Sequence, residues 1–132
     1  MRSEKKKFIT ITRAGDELMF SKDVGMIPFT IGKCDGWEST IAYLKSDHII
    51  SNIDFEKYCN LICIGENARD DHKNREIIID FIKRNIHKYD VVNFYNYGTN
   101  LYKYSYYCKK YNPKIIIWSK LDMGMGGVQA FL

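Results

Sequence analysis

Apolar and polar positions along this chain fall into alternating strand-like and helix-like blocks. Phe8-Ile9-Thr10-Ile11-Thr12 has the two-residue period of a strand and leads into a turn at Arg13-Ala14-Gly15-Asp16. Val24, Ile27, Ile31 and Cys34 recur at helical spacing, which predicts a short helix starting near Gly25, with Asp23 as N-cap and Gly36 at the C′ position. Pro28 fits that helix only within its first turn, where its missing N–H is not needed. Trp37 to Leu44 reads as a second strand, Lys45 to Lys57 as a polar connection, and Leu61-Ile62-Cys63-Ile64 as a third strand that stops at Gly65. Glu66 to Lys73 is a charged loop leading to the clearest helix, in which Ile78, Ile82 and Ile86 stack beside Ile79 and Phe81 while Arg75, Asp80, Lys83, Arg84 and Lys88 take the other side. Asp90-Val91-Val92-Asn93-Phe94-Tyr95 is a fourth strand, left by a turn at Asn96-Tyr97-Gly98. Thr99 can cap a helix in which Leu101, Tyr104 and Cys108 share a face and which ends before Asn112-Pro113. The run from Lys114 to Asp122 is a fifth strand, apolar on both faces along Ile115-Ile116-Ile117.

Short, nearly unbroken apolar strands alternating with helices point to right-handed β-α-β units. The expected fold is therefore α/β: a Rossmann-like three-layer α/β/α domain with a mainly parallel sheet of about five strands. At 132 residues the chain is read as a single domain over 1–132, long enough to bury roughly 65–70% of its unfolded surface.

Composition changes this picture little. Hydrophobic residues make up 45% and charged residues 27% of the chain, ordinary globular values that exclude neither enzyme nor binding module. No apolar run spans a bilayer and Met1 to Lys7 does not open a signal peptide, so the expected location is cytoplasmic. Net charge is +4 and the isoelectric point about 8.8, which suits anionic partners without selecting one. Cys34, Cys59, Cys63 and Cys108 lack a Cys-x-x-Cys pair and are read as reduced core thiols, with no metal site and no disulfide framework.

Candidate chemistry follows from the fold class, because ligands of open α/β sheets collect outside the C-terminal strand ends. The substrate-binding candidates are Lys22, Asp23 and Gly25 after the first strand, Asn96 and Tyr97 after the fourth, and Lys120 and Asp122 after the fifth. A glycine at a helix start opens free N–H groups to a phosphate or carboxylate, although Gly25 could equally serve turn geometry alone. Lys120 and Asp122 share a strand face, and simple surface pairing is the competing reading. Gly124-x-Gly126-Gly127 follows the last strand, not the first, and is a weak dinucleotide signal better read as a turn. The tyrosines from Tyr89 to Tyr111 are read as half-buried packing, Tyr97 excepted. His48, His72 and His87 sit in unrelated settings, and no nucleophile-base pair stands out, so the catalytic residues stay unassigned.

The order of residues carries a further signal. Lys22-Asp23-Val24-Gly25-Met26-Ile27-Pro28, then Gly36-Trp37-Glu38-Ser39-Thr40-Ile41, and later Asp90 to Phe94 with Pro113 to Asp122, resembles the N-terminal half of bacterial nucleotide-sugar glycosyltransferases of the GT-B fold, the group 1/family 4 type. The resemblance covers most of the chain from about Phe20 to Asp122. It implies an acceptor-side domain facing a donor-binding domain across a cleft, in transfer of a sugar from a nucleotide sugar to a glycan or lipid-linked acceptor in cell-envelope polysaccharide synthesis. By position it implies that Gly25 lies near donor phosphates and acceptor, and that Asn96, Tyr97, Lys120 and Asp122 line the cleft. Where many relatives place a histidine at the fourth strand's exit, this chain has Asn96. The Glu-x7-Glu pair of the donor half is absent, so the C-terminal donor domain is expected to be missing and the chain inactive alone. No tightly bound cofactor is implied; the nucleotide sugar is a substrate of the full enzyme. The implied partners are the acceptor, the missing donor domain and the inner face of the membrane as a peripheral contact, with no nucleic acid. The alternative is a stand-alone Rossmann-like or flavodoxin-like module that binds a nucleotide or a protein and catalyses nothing.

Overall fold

The β-branched runs form strands because each meets a neighbour on both sides or a helix on its face. In the computed structural model of the chain, which describes residues 4–13, 23–45, 53–95 and 100–120, these are β1 (Lys6–Thr12), β2 (Trp37–Lys45), β3 (Cys59–Glu66), β4 (Val91–Tyr95) and β5 (Ile116–Lys120). They make one sheet in the order β3-β2-β1-β4-β5, with every pairing parallel. The helices between them are α1 (Asp23–Lys33), α2 (Ile53–Tyr58), α3 (Asp71–Asn85) and α4 (Asn100–Tyr111), and a 3-10 turn at Ile86–Lys88 extends α3. This is the Rossmann-like three-layer α/β fold that the alternation of blocks anticipates.

Parallel strands leave no face for water, and the burial shows it. On one face Ile9, Ile11, Ala42, Leu44, Val92 and Phe94 pack against Ile78, Phe81, Ile82 and Ile86 of α3 with its 3-10 turn and Tyr104 and Cys108 of α4. On the other, Ile41 and Cys59 meet Phe55 of α2 and Phe29 of α1, whose rings lie 5.1 Å apart. Each fully buried isoleucine contributes on the order of 1.5–3 kcal/mol, so the larger α3/α4 face holds most of the apolar stabilisation. Toward the β5 edge of the α1 face the cover thins. Phe8 reaches Trp118 at 6.3 Å, yet Trp118 stays 42% and Ile116 63% exposed.

Backbone ends are tied by side chains rather than left to water. Asp70 caps α3, its Oδ1 accepting from the His72 N–H at 2.9 Å. Asn112 Nδ2 donates to the Ile86 and Tyr89 carbonyls at 3.0 and 2.8 Å, fixing the end of α4 to the segment that opens β4. Gly36 has φ +85° in the turn closed by the Trp37 N–H on the Cys34 carbonyl, a conformation that favours glycine.

The structure differs from the sequence pattern in several places, among them Tyr102 and Tyr106, which are exposed and not half-buried packing, and β3, which runs through Gly65 to Glu66. The first helix begins at Asp23, two residues before Gly25, and Pro28 is its sixth residue, outside the first turn. Pro28 withholds an N–H from the Val24 carbonyl, but Val24 and Pro28 are both buried, and burial against the sheet outweighs the lost bond. Gly36 stands three residues beyond Lys33, in the turn, so it is not the residue that directly follows the helix. Within Lys45–Lys57, read as a polar connection, lies α2, six residues anchored by Phe55 and too short for a visible period. Cys34 and Cys63 are exposed; only Cys59 and Cys108 are core thiols.

Gly32 is where α1 approaches the end of α2 most closely: a Cβ there would collide with the Tyr58 carbonyl and lie 3.3 Å from the Ser39 Cβ. Alanine is the better helix former by about 1 kcal/mol, but overpacking against backbone costs about 1–3 kcal/mol. Gly32→Ala is therefore expected to lower stability, read as a lower urea midpoint with an unchanged m value; a stabilised variant would mean that α1 shifts freely on the sheet.

Candidate functional site

With all strands parallel, every β-to-α exit leaves from the same edge of the sheet. The chain winds from β1 to β2 and β3, then returns past β1 to β4 and β5. The winding reverses between β1 and β4, which is where a doubly wound sheet opens a crevice at its C-terminal edge. In register, Ile11 stands beside Phe94 and Tyr95 beside Lys120, so the exits of β1, β4 and β5 are adjacent. The α1 N-terminus follows the β1 exit in the chain, and its first N–H groups, Gly25 included, have no partner within the helix.

Of the residues singled out in the sequence, Asp23 is the first residue of α1, Gly25 is buried in its first turn, and Lys120 ends β5. Lys22, Asn96, Tyr97 and Asp122 lie outside the described residues, as do Gly124 to Gly127. The sheet order thus brings the carrying strands together.

Two polar residues that the sequence reading passed over lie just below this edge. Thr10 of β1 and Asn93 of β4 are fully buried neighbours at the β1–β4 junction. Asn93 Nδ2 donates to Thr10 Oγ1 at 3.2 Å, and Asn93 Oδ1 has no partner. A buried amide with an idle acceptor costs about 1–3 kcal/mol; with Thr12, Ser39 and Thr40 also buried, and Ser39 Oγ likewise without a partner, the central strands keep several polar groups out of water. The signal of the Thr10–Asn93 pair in the sequence is an asparagine inside Val91-Val92-Asn93-Phe94, a strand otherwise apolar on both faces.

On the α3/α4 side the edge is closed by charge and by a side-chain latch. Arg13, just past β1, pairs with Asp71 at the start of α3 at 2.8 Å. Asn74, buried in the first turns of α3, accepts from the Ala68 N–H at 2.9 Å and donates to the Ala68 carbonyl and Asn67 Oδ1 at 2.8 and 3.0 Å. That one side chain fixes the loop between β3 and α3. Tyr104 lies beneath, stacked on Phe94 at 5.7 Å. Burial pushes its hydroxyl up to about 12, against the pull of Arg13 and Arg75. At neutral pH Tyr104 is a neutral hydroxyl and not a base, set among Arg13, Arg75 and Asp71.

Of the four thiols, Cys34 and Cys63 are exposed and Cys59 and Cys108 buried. The described residues contain no group of three His, Cys, Asp or Glu side chains placed to hold an ion. His72 pairs with Glu76 on the α3 surface at 3.0 Å, one turn apart on the outside of the helix. Burial pushes Cys59 up to about 11, a neighbouring Ser39 hydroxyl partly offsetting it, and Cys108 up to about 12, with Lys109 offsetting it.

Compared with known protein families, characterised proteins and solved structures, the chain matches none. The fold defines a Rossmann-like α/β domain whose winding reverses between β1 and β4.

Two expectations follow from these side chains. Asn74→Ala removes three hydrogen bonds at a buried site and is expected to cost about 2–3 kcal/mol, with amide exchange quickened selectively at Ala68; uniform exchange would show that the loop does not depend on Asn74. Cys34 and Cys63 should react with a thiol reagent in the native protein, and Cys59 and Cys108 only on unfolding. Because both buried thiols have raised folded pKa values, the unfolded chain holds fewer protons above about pH 8.5, and stability should fall as pH rises from there toward 11, by about 2 kcal/mol per thiol. A flat urea midpoint across that range would contradict it.

Proposed function

We propose that this chain is the acceptor-side domain of a glycosyltransferase of the GT-B type, which transfers a sugar from a nucleotide sugar to a glycan or lipid-linked acceptor. The observation that carries the reading is the sheet order. The three strands whose exits lead to Lys22, Asp23 and Gly25, to Asn96 and Tyr97, and to Lys120 and Asp122 are neighbours at one edge. The resemblance along Lys22 to Pro28 and Pro113 to Asp122 adds the chemical class.

In this reading the edge is one wall of a cleft. The first N–H groups of α1, which have no partner within the helix, set with Arg75 a positive field where a departing nucleotide phosphate gathers charge. Tyr104, neutral, holds Phe94 and the exit of β4 in place. The donor domain, with its paired glutamates, supplies the other wall, and the acceptor hydroxyl is presented between them. The work belongs to polysaccharide assembly at the cytoplasmic side of the cell envelope.

The test is an amide-shift titration of the 132-residue chain with short glycans and solubilised lipid-linked sugars, alongside sugar nucleotides. Shifts concentrated at Asp23 to Gly25, at Phe94 to Tyr97 and at Trp118 to Asp122, with no sugar transfer by the chain alone, are the expected result. Turnover of a sugar nucleotide by this polypeptide would overturn the half-enzyme reading. Selective binding of a nucleotide or a protein with no response to any glycan would replace it with a non-catalytic binding module.

A further inference from the structure

The chain's positive charge is concentrated on one helix layer. Residues 81–89 and 100–114 carry seven lysines and arginines and no aspartate or glutamate, against a net charge of +4 for the whole chain, so the remainder is net negative. Lys83, Arg84 and Lys88 close α3 and its 3-10 turn, Lys103, Lys109 and Lys110 lie on α4, and Lys114 follows it. The two helices pack side by side on the same face of the sheet, and Lys83 of α3 reaches Tyr107 of α4, whereas Arg84 turns to the β3 side beside Asp80.

Tyrosines are interleaved with them. Tyr104 and Cys108 turn α4 inward, and the outward side shows Tyr102 at 86% and Tyr106 at 58% exposure, one turn apart. Lys83 Nζ lies 5.1 Å over the Tyr107 ring and Lys110 Nζ 5.8 Å over Tyr111. Tyr102 and Tyr106 wall a shallow hollow of about 590 Å³ completed by Ser105, Lys109 and Lys110. Few of these cations are spent on carboxylates: Arg84 reaches Asp80 at 3.1 Å, and Lys109 donates to the Pro113 and Ile115 carbonyls.

We propose that the outward face of α4 with the C-terminal half of α3 is a docking surface for a bilayer rich in anionic phospholipid. Phenol rings on a helix ridge are suited to headgroup depth, and lysine stems lie along apolar surface while their ammonium groups meet phosphates. Charge complementarity selects the anionic lipid. The exposed side of the ridge bears tyrosine and no leucine or phenylalanine, so adsorption is shallow and reversible. A nucleic-acid strand is the poorer fit, because stacking on bases calls for rings lining a groove that tracks the backbone, whereas these rings stand on a ridge. The inference does not require the glycosyltransferase reading.

Co-sedimentation of the full chain with vesicles of phosphatidylcholine, with and without about 30 mol% phosphatidylglycerol, tests it without any sugar nucleotide present. Binding should need phosphatidylglycerol and fall steeply between about 0.05 and 0.5 M salt. Each lysine near an anionic surface is worth about fivefold, so Lys83→Gln/Lys103→Gln/Lys110→Gln should weaken binding about a hundredfold, with an unchanged far-UV spectrum. Tyr102→Ser/Tyr106→Ser should weaken the binding that survives at high salt. Lys5→Gln/Lys45→Gln/Lys57→Gln, which removes the same charge elsewhere, should bind like the parent. Equal binding to neutral vesicles, equal loss in both lysine triples, or tighter binding to a mixed-sequence RNA than to the anionic vesicles would overturn the proposal.

Discussion

The structure depends on placing its first strand in the middle of the sheet. β1 pairs with β2 on one side and with β4 on the other, and from Phe8 to Thr12 none of its residues faces water. Its second partner lies more than eighty residues away in the chain. The junction is made where the Lys7 N–H donates to Asp90 Oδ2 and the Asp90 N–H to the Lys7 carbonyl, each at 2.8 Å, while the Asp90 carbonyl accepts from Ile116 at 3.0 Å. One residue thereby joins the starts of β1, β4 and β5. A strand so placed cannot be half buried, since its ladder groups need both neighbours. Such pairings are non-local, and loop closure must precede their gain.

That constraint also decides where chemistry can occur. With β1 central and every strand parallel, the exits share one edge, and the winding must reverse beside β1. Thr10 and Asn93 meet at that reversal, an incompletely satisfied amide among the buried polar groups of the central strands, which include Thr12, Ser39 and Thr40. Local rules of burial are broken most often where a function is kept. The opposite edge shows the contrast: Asn112 spends both of its N–H bonds on the carbonyls of Ile86 and Tyr89 and serves stability alone.

Much of the fold was legible in the sequence because period and burial agree. Ile78, Ile82 and Ile86 mark a helix on a sheet, and five apolar blocks mark five strands, with boundaries shifted by a residue or two. Strand order is not a property of any block, and only the pairings reveal that β1 lies between β2 and β4. α2 stays hidden because six residues with Phe55 as anchor show no period. Pro28 misleads because propensity is local while the burial of Val24 is not. Cys34 and Cys63 mislead because a thiol's setting depends on what covers it: Cys34 follows the end of α1, and Cys63 lies on the edge strand β3. For the site, the rule that ligands gather at strand exits points to one edge of the sheet, where the exits of β1, β4 and β5 are adjacent, but Asn93 acquires meaning only once Thr10 stands beside it.

A net charge of +4 conceals two differently built positive regions. Near the strand exits Arg13 is held by Asp71 and, with Arg75, acts on the buried Tyr104 hydroxyl, a local field. The lysines of α3 and α4 form a broad layer with almost no acidic partner, effective at the range of a Debye length. The two regions are linked by geometry, because α4 begins next after the β4 exit in the chain and runs back along the sheet to Tyr111. A bilayer lying on the α3/α4 layer would therefore have the strand exits beside it and not beneath it.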